Sequence, residues 1–112
     1  MTVNPRVIVT PEQVEDALNI LTTNDVANTR GDMLFAEHMI KHTRALLATL
    51  SGEKTMAGAE RAAESSPRYV EKVESYRQRV VDFEVAKAKR EHAVAVIDVW
   101  RTQQATFRSS SV

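Results

Sequence analysis

His38 and His42 stand four residues apart beside Glu37, in a stretch that reads as helix. On one helical face that spacing can share a metal ion. A zincin helix places a general-base Glu directly after its first His, and Met39 fills that position here. No third ligand cluster accompanies the pair, so a solvated or interfacial face is the expected role and no metal is expected. Glu91-His92 is an isolated pair that reads as surface charge. No Ser/His/Asp order or paired-carboxylate motif occurs. The glycines Gly31, Gly52 and Gly58 are scattered, which rules out a phosphate-cradling loop. Cysteine is absent, and with it thiol nucleophiles, disulfides and Cys-based metal sites. These residues predict a protein that is not an enzyme and needs no cofactor.

The cations offer more. Residues 87–112 hold five, Lys87, Lys89, Arg90, Arg101 and Arg108, against Glu91 and Asp98. Lys41, Arg44 and Lys54 gather in mid-chain, followed by Arg61, Arg68 and Lys72. Such groups neutralise phosphates, and aromatic rings among them can stack on unpaired bases. Tyr69, Tyr76, Phe83, Trp100 and Phe107 are the rings available, although the first three also fall at core spacing on a helix. Glu71 and Glu74 near Arg77 read as a solvated ion-pair face. The candidate phosphate contacts are Arg44, Lys54, Arg61, Arg68, Lys87, Lys89 and Arg90. Trp100 with Arg101 is the candidate assembly or stacking element.

Helices must position all of these. Residues 1–9 read as an arm, with Val7, Ile8 and Val9 available to dock on a neighbour. Thr10-Pro11-Glu12-Gln13 is a helix start, with Thr10 as cap and Gln13 at the capping-box position. Val14, Ala17, Leu18 and Leu21 give this short helix (residues 10–22) one apolar face. Thr22-Thr23-Asn24 breaks it. A second helix spans 25–50, where Val26, Thr29, Met33, Ala36, Ile40, Thr43, Leu47 and Leu50 alternate in steps of three and four as a coiled-coil seam. Gly31 invites a kink. Ser51-Gly52 ends the helix, with Gly52 suited to a left-handed position. An Ala-rich connector helix covers 55–64, and Ser66-Pro67 starts a long helix over 67–107. Residues 109–112 read as a disordered tail. The long helix carries a seam of Tyr69, Val73, Tyr76, Val80, Phe83, Val94 and Ile97, interrupted by Lys87 and Arg90 and followed by Arg101 and Gln104.

At ~1.5 Å per residue, 67–107 would reach roughly 60 Å. A domain of 112 residues has a radius of gyration near ~13 Å. The expectation is therefore all-α: an elongated helical hairpin or coiled coil with a short N-terminal helix, a single domain that self-associates. Apolar residues are 43% and charged residues 27%, ordinary for a folded chain. The absence of a long apolar run or a basic-then-apolar leader predicts no membrane association and a cytoplasmic location. Net charge is zero but uneven. Residues 1–37 hold six acids against Arg6 and Arg30, while 38–112 hold thirteen bases against nine acids. That leaves room for a basic surface on the long helices.

From Arg44 to Arg108 the order of features resembles a group of small tailed-phage helical proteins. The shared plan is a helix ending at Ser51-Gly52, an Ala/Glu-rich connector, a restart at Ser66-Pro67-Arg68-Tyr69, and a long helix closing on Ile97-Asp98-Val99-Trp100-Arg101-Thr102-Gln103-Gln104. More distantly the plan is similar to the UvsY recombination mediators of T-even phages. The resemblance implies a helical oligomer that binds single-stranded DNA and helps load a RecA-type recombinase. It places Arg44 at a basic DNA-contacting position. A second basic position of that family is Leu46 here, which moves the expected contact to Lys41 or Lys54. The competing expectation is a helical protein–protein adaptor without nucleic acid, in which Lys87 and Arg90 fix register or oligomeric state.

Overall fold

The computed structural model describes residues 8–110, which contain helices and turns and no strand. The fold is all-α: α1 (Pro11–Leu21), α2 (Asp25–Leu50), α3 (Met56–Glu64) and α4 (Pro67–Ser110). Two compact units make it up. One comprises residues 25–85. The other combines residues 8–24 with residues 86–110. Most of the N-terminal arm, and the last two residues of the expected tail, lie outside the described residues.

Within residues 25–85, α2, α3 and the first part of α4 form a helical hairpin. α2 has the expected bounds, and its predicted seam is the side that packs. Ala36 and Thr43 are buried, Val26, Thr29, Met33, Ile40 and Leu47 half-buried, and only Leu50 stands exposed. The helix does not break at Gly31, since α2 is continuous through it. Gly52 turns the chain out of α2 with φ 74°, a left-handed conformation that a Cβ disfavours. Thr55 caps α3 by accepting from the Gly58 amide at 3.0 Å. The Ser66 hydroxyl accepts from the Arg68 amide at 3.3 Å where Pro67 opens α4. Arg44 on α2 reaches Glu64 on α3 at 3.5 Å, an exposed pair. Tyr69, Tyr76, Val80 and Phe83 are half-buried while Val73 of the same seam is exposed, so the aromatics of this part of α4 serve packing. The residues buried in this unit are small, Ala36, Thr43 and Ala63.

The other unit is α1 laid on the last part of α4. Thr10 and Gln13 make the predicted capping box: the Gln13 amide donates to Thr10 Oγ1 at 3.2 Å, and the Thr10 amide donates to Gln13 Oε1 at 2.8 Å. Val14 and Ala17 then meet Ala93 and Ile97, with Ile20, Leu21, Val96 and Trp100 packed around them. Ala93 is wholly covered, its methyl group allowing close approach of α1. Hydroxyls close the far end of α1, Thr22 donating to the Asn19 carbonyl and Thr23 to that of Ile20.

Two expectations fail in this half of α4. Arg90, Val94 and Arg101 of the projected seam are exposed and Lys87 and Gln104 half-buried, whereas Ile97 is buried as expected, together with Ala86 and Ala93, which the seam did not include. The seam set by Tyr69–Phe83 carries through only in part, because the partner here is α1, whose apolar side meets Ala93 and Trp100 as well as Ile97. Of the basic interruption, Arg90 is therefore surface rather than core, while Lys87 is half-buried. Ser109 and Ser110 also belong to α4 instead of a disordered tail. Successive hydroxyls bond one turn back, Thr102 to Asp98, Thr106 to Thr102 and Ser110 to Thr106, which ties the helix to its end.

Candidate nucleic-acid interface

The candidate phosphate contacts fall in both units. In residues 25–85, α2 presents Arg44, the α2–α3 turn presents Lys54, α3 presents Arg61 near its C-terminus, and the first turn of α4 presents Arg68; all four are exposed. Lys41, Arg44 and Lys54 line one hollow between the end of α2 and α3, shared with Glu53 and Glu60. Arg61 opens into a separate hollow with Glu53, Gly58 and Ser65. Arg44 is partly engaged already through Glu64. The structure thus brings Lys41, Arg44 and Lys54 together and leaves Arg61 and Arg68 outside that group.

In the other unit, α4 carries Lys87, Lys89 and Arg90. Lys89 and Arg90 are exposed and Lys87 is half-buried. Lys87 and Arg90 share a helical face at three-residue spacing, with Lys89 turned away from both. Arg101 is exposed, whereas Trp100 is half-buried against the Val14–Ile97 core. The indole therefore contributes packing inside its own unit.

Ion pairing separates the cations into two kinds. Arg44 pairs with Glu64, Arg77 with Glu74 at 3.9 Å, and Arg79 with Asp82 at 3.1 Å. Lys54, Arg61, Arg68, Lys89 and Arg90 make no ion pair among the described residues. His38 and His42 are exposed, and among the described residues no three His, Asp or Glu side chains gather as a metal-holding group.

Two features escaped sequence reasoning. The Gln103 carboxamide pairs with the backbone of Val9, accepting from its amide at 3.0 Å and donating to its carbonyl at 3.2 Å. That contact joins positions 94 residues apart, and nothing local announces it. A groove in the hairpin unit is walled by Phe35 and Met39 of α2 on one side and by Lys72, Ser75 and Arg79 of α4 on the other, with Asp32 also on its lining. The seven-residue spacing of Lys72 and Arg79 on one helix was the available signal. No family model, curated protein or solved structure matches this chain. No helix among the described residues is long and apolar enough to cross a membrane.

Proposed function

We propose that this chain is a non-enzymatic accessory protein of DNA recombination or replication, of the kind tailed phages encode. It assembles as a helical homo-oligomer, binds single-stranded DNA through exposed cations, and aids loading of a RecA-type recombinase in the host cytoplasm. The carrying observation is that Lys54, Arg61, Arg68, Lys89 and Arg90 are exposed without an acidic partner among the described residues. Other cations of the chain are engaged by acids, as Arg44 is by Glu64 and Arg77 by Glu74. Cations left to solvent are available to phosphates. The resemblance of residues 44–108 to the UvsY mediators supports the recombinase step.

Assembly supports affinity. Each protomer offers a few scattered phosphate contacts, and joining copies raises their effective concentration without new contacts. Leu46, Leu50, Met56, Val81 and Val85 are exposed apolar side chains that association would cover. Fluorescence anisotropy of a labelled single-stranded oligonucleotide, at low salt and through a salt titration, tests the proposal. Binding that weakens linearly in log–log with salt and exceeds duplex binding is expected. The exposed apolar residues also favour the second reading, a helical adaptor for other proteins. Absence of DNA binding at low salt by a self-associated protein would select it.

A further inference from the structure

We infer that the groove between α2 and α4 is a base-stacking subsite for single-stranded DNA, with Phe35 as the platform and Lys72 and Arg79 as its phosphate contacts; this rests on the single-stranded DNA reading above. Phe35 is 65% exposed, although its helix has a packing side in Ala36, Ile40 and Thr43 that excludes it. A benzyl ring held in solvent at a groove wall gains nothing for the fold, but presents a π-face that any base can cover. Met39 and Ala36 extend the same apolar wall.

The opposite wall is polar throughout. Lys72, Ser75 and Arg79 follow at helical spacing on α4, so the two cations lie about 10 Å apart along its axis. Lys72 has no ion pair among the described residues. Arg79 donates to Asp82 Oδ2 through one terminal nitrogen, which leaves further guanidinium donors for a second acceptor.

The mixed walls decide between occupants. An apolar helix stripe from another copy of the chain would cover Phe35 and Met39 at the cost of burying Lys72 and Arg79 against a non-polar surface. A nucleotide matches both walls, with an apolar base face and an anionic phosphate. Asp32 lines the same groove and opposes a phosphate near it, so occupancy favours the Lys72 side. None of these residues belongs to the cation groups around Lys54 or Lys89, so the groove can be tested apart from them.

The test compares the wild-type protein, Phe35→Ala, Phe35→Trp and Lys72→Ala/Arg79→Ala with a labelled single-stranded oligonucleotide, with mass in solution recorded for each. Phe35→Ala should weaken binding by about tenfold or more. The double variant should flatten the log–log salt slope by roughly 1.4, two single-strand phosphates. Phe35→Trp should show DNA-dependent fluorescence quenching beyond that of Trp100 in the wild type, and Asp32→Asn should tighten binding. Wild-type binding with unchanged affinity in Phe35→Ala and no added quenching in Phe35→Trp overturns the groove while the single-stranded DNA reading stands. A Phe35→Ala protein of lower mass than the wild type assigns the groove to a second copy and also overturns it. No wild-type binding at low salt removes the reading and the groove together.

Discussion

Gln103 does with one side chain what a neighbouring strand does with its backbone, engaging both the amide and the carbonyl of Val9. The contact is half-buried, so water replaces it poorly. Gln103→Ala should therefore cost about 1–2 kcal/mol, read as a lower urea midpoint with an unchanged slope. An unaltered midpoint would make the pairing incidental. At the same scale, replacing Lys87, Lys89 and Arg90 together by Ala should weaken single-stranded DNA binding and flatten its salt slope by roughly 2. Unchanged affinity and slope would remove these residues from the interface. Cations were legible in the sequence as residue types. Their pairing was legible only where it is local, as for Arg77 with Glu74, because Arg44 meets Glu64 across the α2–α3 turn and Phe35 shares a groove with Lys72 only through the hairpin.

The helices as elements were legible where the local chemistry was complete. Thr10 with Gln13, Thr55 ahead of α3, and Ser66 with Pro67 all act as the capping residues their types suggest. The α2 seam held, Leu50 apart, because the elements it meets, α3 and the first part of α4, belong to the same unit. The α4 seam held only as far as the residue 25–85 unit, since its covered side is set by whichever helix lies on it, a tertiary fact. Two glycines separate the local contributions further. Gly31 sits in mid-helix with open space where a Cβ would stand, so Gly31→Ala should stabilise by about 0.5–1 kcal/mol. Gly52 has equally open space but φ 74°, and Gly52→Ala should destabilise by about 1 kcal/mol through backbone strain alone. Thermal unfolding of both variants checks the opposite signs. Ala93→Leu should push α1 from α4 at about 1–3 kcal/mol, with a loss of helix signal in circular dichroism, because an 11-residue helix is marginal without its packing partner. Full retention of helix content and stability would contradict the close approach at Ala93.

For the molecule as a whole, the all-α class followed from sparse Gly and Pro, low aromatic content and unbroken helical spacing. What those features left open was how much of the apolar surface each unit could cover. The answer lies in side-chain size: among the described residues alanines and one threonine dominate the buried positions, no large side chain is fully buried, and valines and leucines are left at the surface. Small buried residues bring helices close but remove little area from water, so association is the expected source of further stability. In the proposed reading assembly and DNA binding are one property, with copies held together by apolar faces and the strand held by cations that each copy leaves unpaired. The most direct test is sedimentation of the full chain, alone and with a labelled single-stranded oligonucleotide at low salt. The expected result is a species of several chains that carries the oligonucleotide with it and releases it as salt rises. An oligonucleotide that sediments free at low salt, beside protein with the mass of a single chain, would contradict both assembly and DNA binding.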